Sequence, residues 1–172
     1  KFISSTKGWR EGNPKRAQAI NQTKENLKPS FDYERVKKWL DTGFNDGCWD
    51  SATLRCIACG TRTFVCPTCH CFDIVDEGDT NEGKRVKNWD SCMMGQFTLH
   101  TSGHNPRPIK SNRFRQRIMH KFKYYQDLFG RILLSGCGRG QRHCRTDIAL
   151  KGLLEQIDKL AGEVTDHATA GK

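Results

Sequence analysis

Cys56-Ile-Ala-Cys59-Gly-Thr-Arg62-Thr-Phe-Val-Cys66-Pro67 is the stretch whose reading decides the fold. Bacterial iron–sulfur sites use the frame C-x2-C-x2-C-x3-C-P. This segment carries three of the four cysteines and the proline in register, with Arg62 where the third cysteine belongs. The spacing has a physical cause. The first three thiolates wrap three irons of a cube from one tight loop, and the fourth, a helical turn further on, faces a neighbouring cube. A second copy of the loop is therefore expected. Cys137-Gly138 and Cys144 repeat Cys59-Gly60 and Cys66 at a constant spacing of 78 residues. In that register Leu134 replaces the first cysteine, Gly140 the third and Arg145 the proline.

Exchange of the fourth ligands gives one cluster position with Cys56, Cys59 and Cys144, and Arg62 at its missing corner. The other position has Cys66 and Cys137, with Leu134 and Gly140 at two missing corners. Three thiolates hold a [3Fe–4S] cluster, or a [4Fe–4S] cluster with an outside ligand. Two are too few unless Cys69, Cys71, Cys92 or His143 helps. Because Cys56, Cys59, Cys66, Cys137 and Cys144 stay in phase, two [4Fe–4S] clusters are expected, one of them incomplete or absent. The backbone at 62, 134 and 140 would face iron. A zinc reading competes, since Cys56, Cys59, Cys66 and Cys69 form two CxxC pairs of the kind a tetrahedral all-thiolate site takes. That reading makes the chain a zinc-ribbon nucleic-acid-binding protein. The six-residue gap between the pairs is short for a ribbon, and zinc leaves the repeat at 137–144 without a role.

Outward from the cysteines, the chain has 172 residues, 29 Lys or Arg against 19 Asp or Glu, and a mean hydropathy of −0.73. It has no apolar run long enough for a transmembrane helix and no apolar signal segment. The length suits one domain plus an arm. Nine cysteines in CxxC groups suit metal in a reducing compartment better than disulfides. The net charge of +10 points to an acidic partner or a larger complex. Residues 107–123 hold seven Arg or Lys and no acid. We read these as the polar face of a helix, or as cations that screen anionic clusters, so nucleic acid is not expected as a partner. Cys48 and Cys92 read as small buried groups; His70, His100 and His104 read as hydrogen-bonded structural groups. No nucleophile–base pair, catalytic carboxylate pair or phosphate loop is present, so no catalytic residue is assigned.

The element reading follows the punctuation. Residues 1–30 form a polar basic arm. Ser30 caps a helix over 31–42, with Val36, Trp39 and Leu40 inward, ended by Gly43. The cysteine motif 56–71 leads to an insertion over 72–133. Within it, 72–76 and 84–89 pair as a hairpin, 101–110 is a loop, and 112–129 is a helix with Phe114, Ile118, Phe122, Tyr125 and Phe129 on one face. The second motif, 134–145, precedes a helix over 146–162 carrying Ile148, Leu153, Leu154, Ile157 and Leu160. The tail 163–172 frays. The fold class is α+β: a ferredoxin-like dicluster core with a hairpin-and-helix insertion between two pseudo-repeated cysteine motifs.

Several longer strings point the same way. The runs from Cys56 to Asp76, from Asn88 to Cys92, from Ser102 to Pro108 and from Arg113 to Phe122 resemble one family. It is the 4Fe–4S dicluster electron-transfer subunits, typified by the iron–sulfur component of anaerobic sulfite reductase and by the sulfhydrogenase beta subunit. The resemblance covers about residues 31–158. It implies a cytosolic, non-catalytic redox subunit of a mostly anaerobic complex, relaying electrons between flavin and catalytic subunits. The family pattern has cysteine at the positions of Arg62, Leu134 and Gly140. Family members are longer at the N-terminus, so the start at Lys1 reads as truncated or divergent.

Overall fold

The computed structural model describes residues 14–26 and 30–169. Two compact units divide the chain, 1–32 and 33–172. The first contains helix α1, Pro14–Asn26. Proline suits the first helical position because its missing N–H would have had no intrahelical partner. Residues 14–25 are exposed all round, as expected of a segment with so little apolar content. The expected arm thus includes a helix that its polarity masks; residues 1–13 and 27–29 lie outside the described part.

In the second unit the core is helical. Helix α2, Tyr33–Thr42, buries Val36, Trp39 and Leu40 as its spacing predicts. It begins at Tyr33, so Ser30 is not its cap. The α-helix ends at Thr42, just before Gly43 as expected, and a 3-10 turn follows, Gly43–Asn45. Glycine is needed there for room, since a Cβ would lie 2.5 Å from the Trp39 ring. The short helix α3, Cys48–Thr53, is not legible in the sequence pattern. It is held by Trp49, whose indole N–H donates to the Gly43 carbonyl at 2.8 Å, and by the buried Thr53 hydroxyl. Cys48 is half-buried rather than buried, and burial pushes its thiol up to about 12.

The hairpin is present, with strands β1 (Phe72–Gly78) and β2 (Gly83–Trp89) in register from Phe72 opposite Trp89 to Gly78 opposite Gly83. Its alternating pattern suggests one covered face. Instead β1 is exposed throughout and β2 nearly so. The sheet content of the described residues is this one hairpin.

The long basic helix starts two residues early and changes pitch. Helix α5 spans Lys110–Met119, a π-helical turn covers His120–Tyr124, and helix α6 covers Tyr125–Phe129 before Gly130 turns left-handed at φ 69°. Phe114, Ile118 and Phe122 are buried. Tyr125 is only half-buried and Phe129 is exposed. The wider turn is the reason: each π residue rotates the later side chains away from the 3.6-residue stripe. Helix α8, Leu150–Thr169, starts later than expected and runs through 163–169, where the sequence suggests fraying. It packs Leu153, Leu154, Ile157 and Ala161 against α2, and Arg35 clamps Asp158 through two 2.8 Å bonds. Leu160 is half-buried, on the edge of that face.

Candidate iron–sulfur site

Two loops carry the cysteines, and each is built around a left-handed glycine. Gly60 (φ 71°) precedes the single-turn helix α4, Thr61–Phe64; Gly138 (φ 68°) precedes α7, Arg139–Arg142. The backbone repeats bond for bond. The amides of Thr63 and Phe64 donate to the Gly60 carbonyl, and those of Gln141 and Arg142 donate to Gly138. Cys66 N–H reaches Thr63 as Cys144 N–H reaches Gln141. Ala58, at φ 53°, matches Gly136 at φ 66°. Helices α4 and α7 pack on each other.

The sulfurs are divided among three cavities. Cys56, Cys59 and Cys144 line one cavity together with Arg62, Phe114 and Arg117. Cys66 and Cys137 line a second, wider one with Leu134, Gly140, Arg62, Arg117 and Lys121. Cys69, Cys71 and Cys92 line a third with His70, His120, Arg117 and Lys121. The four cysteines of the zinc reading are thereby spread over three cavities. Among the described residues no three His, Cys, Asp or Glu converge on one metal ion. His143 is exposed and paired to the Arg139 carbonyl at 2.9 Å. His100 and His104 are exposed, edge to face at 5.4 Å across a turn, and His70 is exposed too.

Hydrogen bonds favour the thiolate form at several of these sulfurs. Cys59, Cys66 and Cys144 each meet a threonine hydroxyl two residues on, at 3.3, 3.3 and 3.7 Å from Thr61, Thr68 and Thr146. Ala58 N–H donates to Cys56 Sγ and Ile148 N–H to Cys144 Sγ, both at 3.4 Å. The Thr61 hydroxyl lowers the Cys59 thiol. Burial acts most strongly on Cys144 and raises it, but the Ile148 amide, the hydroxyl and amide of Thr146 and the Arg62 charge together outweigh it. The Cys69 thiol, then Thr68 and Lys121, bring Cys66 down to about 3, while Cys69 as donor is pushed up. The Arg139 amide brings Cys137 to about 7. In the third cavity the Cys92 thiol holds Cys71 near 6 and is itself raised. Low thiol pKa values suit a metal centre, because a cysteine binds metal only after losing its proton.

Of the two readings of 107–123, a polar helix face or cations beside the sulfurs, the structure favours the second for Arg117 and Lys121. Arg113, Arg117 and Lys121, four residues apart, are buried rather than solvated. Arg113 donates to the Met93, Arg107 and Pro108 carbonyls. Lys121 Nζ donates to Cys66 Sγ at 3.3 Å and to Thr68 Oγ1 and the Leu133 carbonyl at 3.0 Å. Arg117 borders all three cavities. Their inward face is encoded in the spacing: each stands one residue before Phe114, Ile118 and Phe122.

The buried donors decide whether an iron–sulfur group fits. Arg62 Nη1 and Arg117 Nε are buried with no hydrogen-bond acceptor among the described residues. An unmet buried donor costs on the order of 1–3 kcal/mol, so an anion belongs beside them. Cys56, Cys59 and Cys144 line the first cavity, so the donor set there has the chemistry of ligands for an anionic cluster. The second cavity has two thiols and does not by itself complete a ligand set.

Comparison with known proteins agrees with this chemistry. No solved structure matches the chain. A curated relative, the sulfhydrogenase 2 subunit beta of Pyrococcus furiosus, is 32% identical over 152 residues. The match covers 88% of this chain and 43% of the relative, so the chain spans less than half of that protein's length. The family model described as a 4Fe-4S dicluster domain matches residues 55–148, which hold both loops and everything between them. The chain belongs to the 4Fe-4S dicluster domain family.

Proposed function

We infer that this chain is an electron-transfer subunit that relays single electrons through protein-bound iron–sulfur clusters. It would act between the flavin and catalytic subunits of a cytosolic redox complex. The observation that carries the reading is that Cys56, Cys59 and Cys144, from loops far apart in sequence, line one cavity beside the buried Arg117. Those three residues would hold the group in the first cavity; Cys66 and Cys137 would contribute at the second. Arg62, Leu134 and Gly140 stand at the remaining corners and supply no ligand atom. When bound, an iron–sulfur cluster supplies one-electron exchange.

The residues of this chain set the terms of that exchange. Arg117 and Lys121 place fixed positive charge beside the sulfurs, which favours the more negative, reduced form. Thr61, Thr68 and Thr146 hold thiolate sulfurs through their hydroxyls, a further control on potential. Cys59 is exposed, with Ile57 and Phe64 beside it also open, so the first position lies within reach of a docked partner. Among the described residues no helix is long and apolar enough to cross a membrane.

Anaerobic purification of the full chain tests the reading. The expected product is brown, contains iron and acid-labile sulfide, and loses a band at about 400 nm on reduction, as iron–sulfur chromophores do. Colourless protein with one zinc and salt-dependent binding to DNA or RNA would overturn it.

A further inference from the structure

Arg62 occupies a ligand position of the first loop, yet its surroundings are those of a fitted residue. Its side chain borders both the first and the second cavity. Its Cγ and Cδ lie 3.9 Å from where a Cβ on Gly140 would stand. Gly140 is the equivalent position of the second loop, so the two third corners meet in the fold, and a methyl group at 140 would touch the Arg62 stem at ordinary van der Waals distance. The guanidinium carbon sits 5.4 Å from the centre of the Phe114 ring, and the Arg62 carbonyl accepts from Arg117 at 3.0 Å. Nη1 is buried and has no acceptor among the described residues.

These contacts bear on how much iron the first cavity takes. A guanidinium stays protonated and has no lone pair to give a metal. An iron at the Arg62 corner would lack a protein ligand and would face a cation. The three thiolates leave the other three corners served. We propose that the first cavity holds a [3Fe–4S] cluster on Cys56, Cys59 and Cys144, with the Arg62 guanidinium closing the corner where a fourth iron would sit. The inference rests on the electron-transfer reading above and specifies the centre that carries the electron.

The test reconstitutes the full chain anaerobically with ferrous iron and sulfide. It compares the parent with Arg62→Cys and Arg62→Ala by iron analysis, Mössbauer spectroscopy and electron paramagnetic resonance. The parent is expected to show a three-iron centre, paramagnetic when oxidised. Arg62→Cys is expected to gain about one iron at that centre and become diamagnetic when oxidised, as a complete cubane is. Arg62→Ala is expected to keep the three-iron signal with a lowered potential, because a cation beside an anionic centre is lost; this arm holds even if the cysteine variant misfolds. A parent centre with about four irons, diamagnetic when oxidised, overturns the three-iron inference and leaves the electron-transfer reading standing. Failure of parent and both variants to take up iron and sulfide overturns both.

Discussion

The two cysteine loops follow one backbone path and carry different side chains. Both turn on a left-handed glycine and share a hydrogen-bond register across a single-turn helix. The first serves its cavity with Cys56 and Cys59 and receives Cys144. The second offers only Cys137 and receives Cys66. The first is also packed more tightly. Gly60 lies under Met94, whose Cε would be 2.4 Å from an added Cβ, whereas at the equivalent Gly138 the nearest atom would be Nη1 of the exposed Arg142, at 2.8 Å. The cavities follow suit, at about 30 Å³ for the first and about 380 Å³ for the second. The difference teaches that the path of such a loop is set by left-handed positions and backbone hydrogen bonds, and its ligand set by side chains that change independently.

The largest effect should come from crossing the loops. Cys144→Ala, a change in the second loop, is expected to abolish the centre in the first cavity, read as loss of its paramagnetic signal. Survival of that signal would break the proposed exchange of ligands. Next is Lys121→Met. It takes one donor from the Leu133 carbonyl, which keeps its bond from the Thr68 hydroxyl, and should cost about 1 kcal/mol, measured by denaturant unfolding; it also removes a charge-assisted bond to Cys66. No change in the unfolding midpoint would show that the Lys121 bonds are dispensable.

Gly60→Ala and Gly138→Ala sharpen the packing contrast. Both incur the left-handed penalty of about 1–2 kcal/mol. Gly60→Ala must also displace Met94, whereas Gly138→Ala need only move the end of the exposed Arg142, so Gly60→Ala should be the more destabilising; equal losses would refute the difference in packing. The smallest effect is expected from Ala58→Gly, which gives the first loop the residue type found in the second. Relief of the strained φ should raise stability by about 1 kcal/mol or less, after the added freedom of the unfolded chain is subtracted. A lower melting temperature would contradict it.

Much of this is legible in the sequence alone. The frame around Cys56 and the 78-residue phase place the sulfurs in their cavities, because ligand spacing is a local property of the chain. Val36, Trp39 and Leu40 are legible for the same reason. The exposed hairpin is not: alternation reports that a strand could cover one face, not that anything covers it. Phe129 is misplaced by periodicity because a π turn leaves no mark in a 3.6-residue count. For Lys121 composition leaves two readings open, a polar helix face or a cation beside a cluster, and its place beside Phe122 in the helical period points inward. The role of Arg62 emerges only in the fold, since its contact with Gly140 joins residues from two loops.

The clamp between Arg35 and Asp158 joins residues 123 positions apart. At roughly 5–20 residues per second of synthesis, α2 waits on the order of 6–25 seconds for its partner helix to leave the ribosome. Every cysteine in the chain is made within that interval, since Cys48 follows Arg35 and Cys144 precedes α8. Both metal-binding loops are therefore complete before the last helix closes over the core.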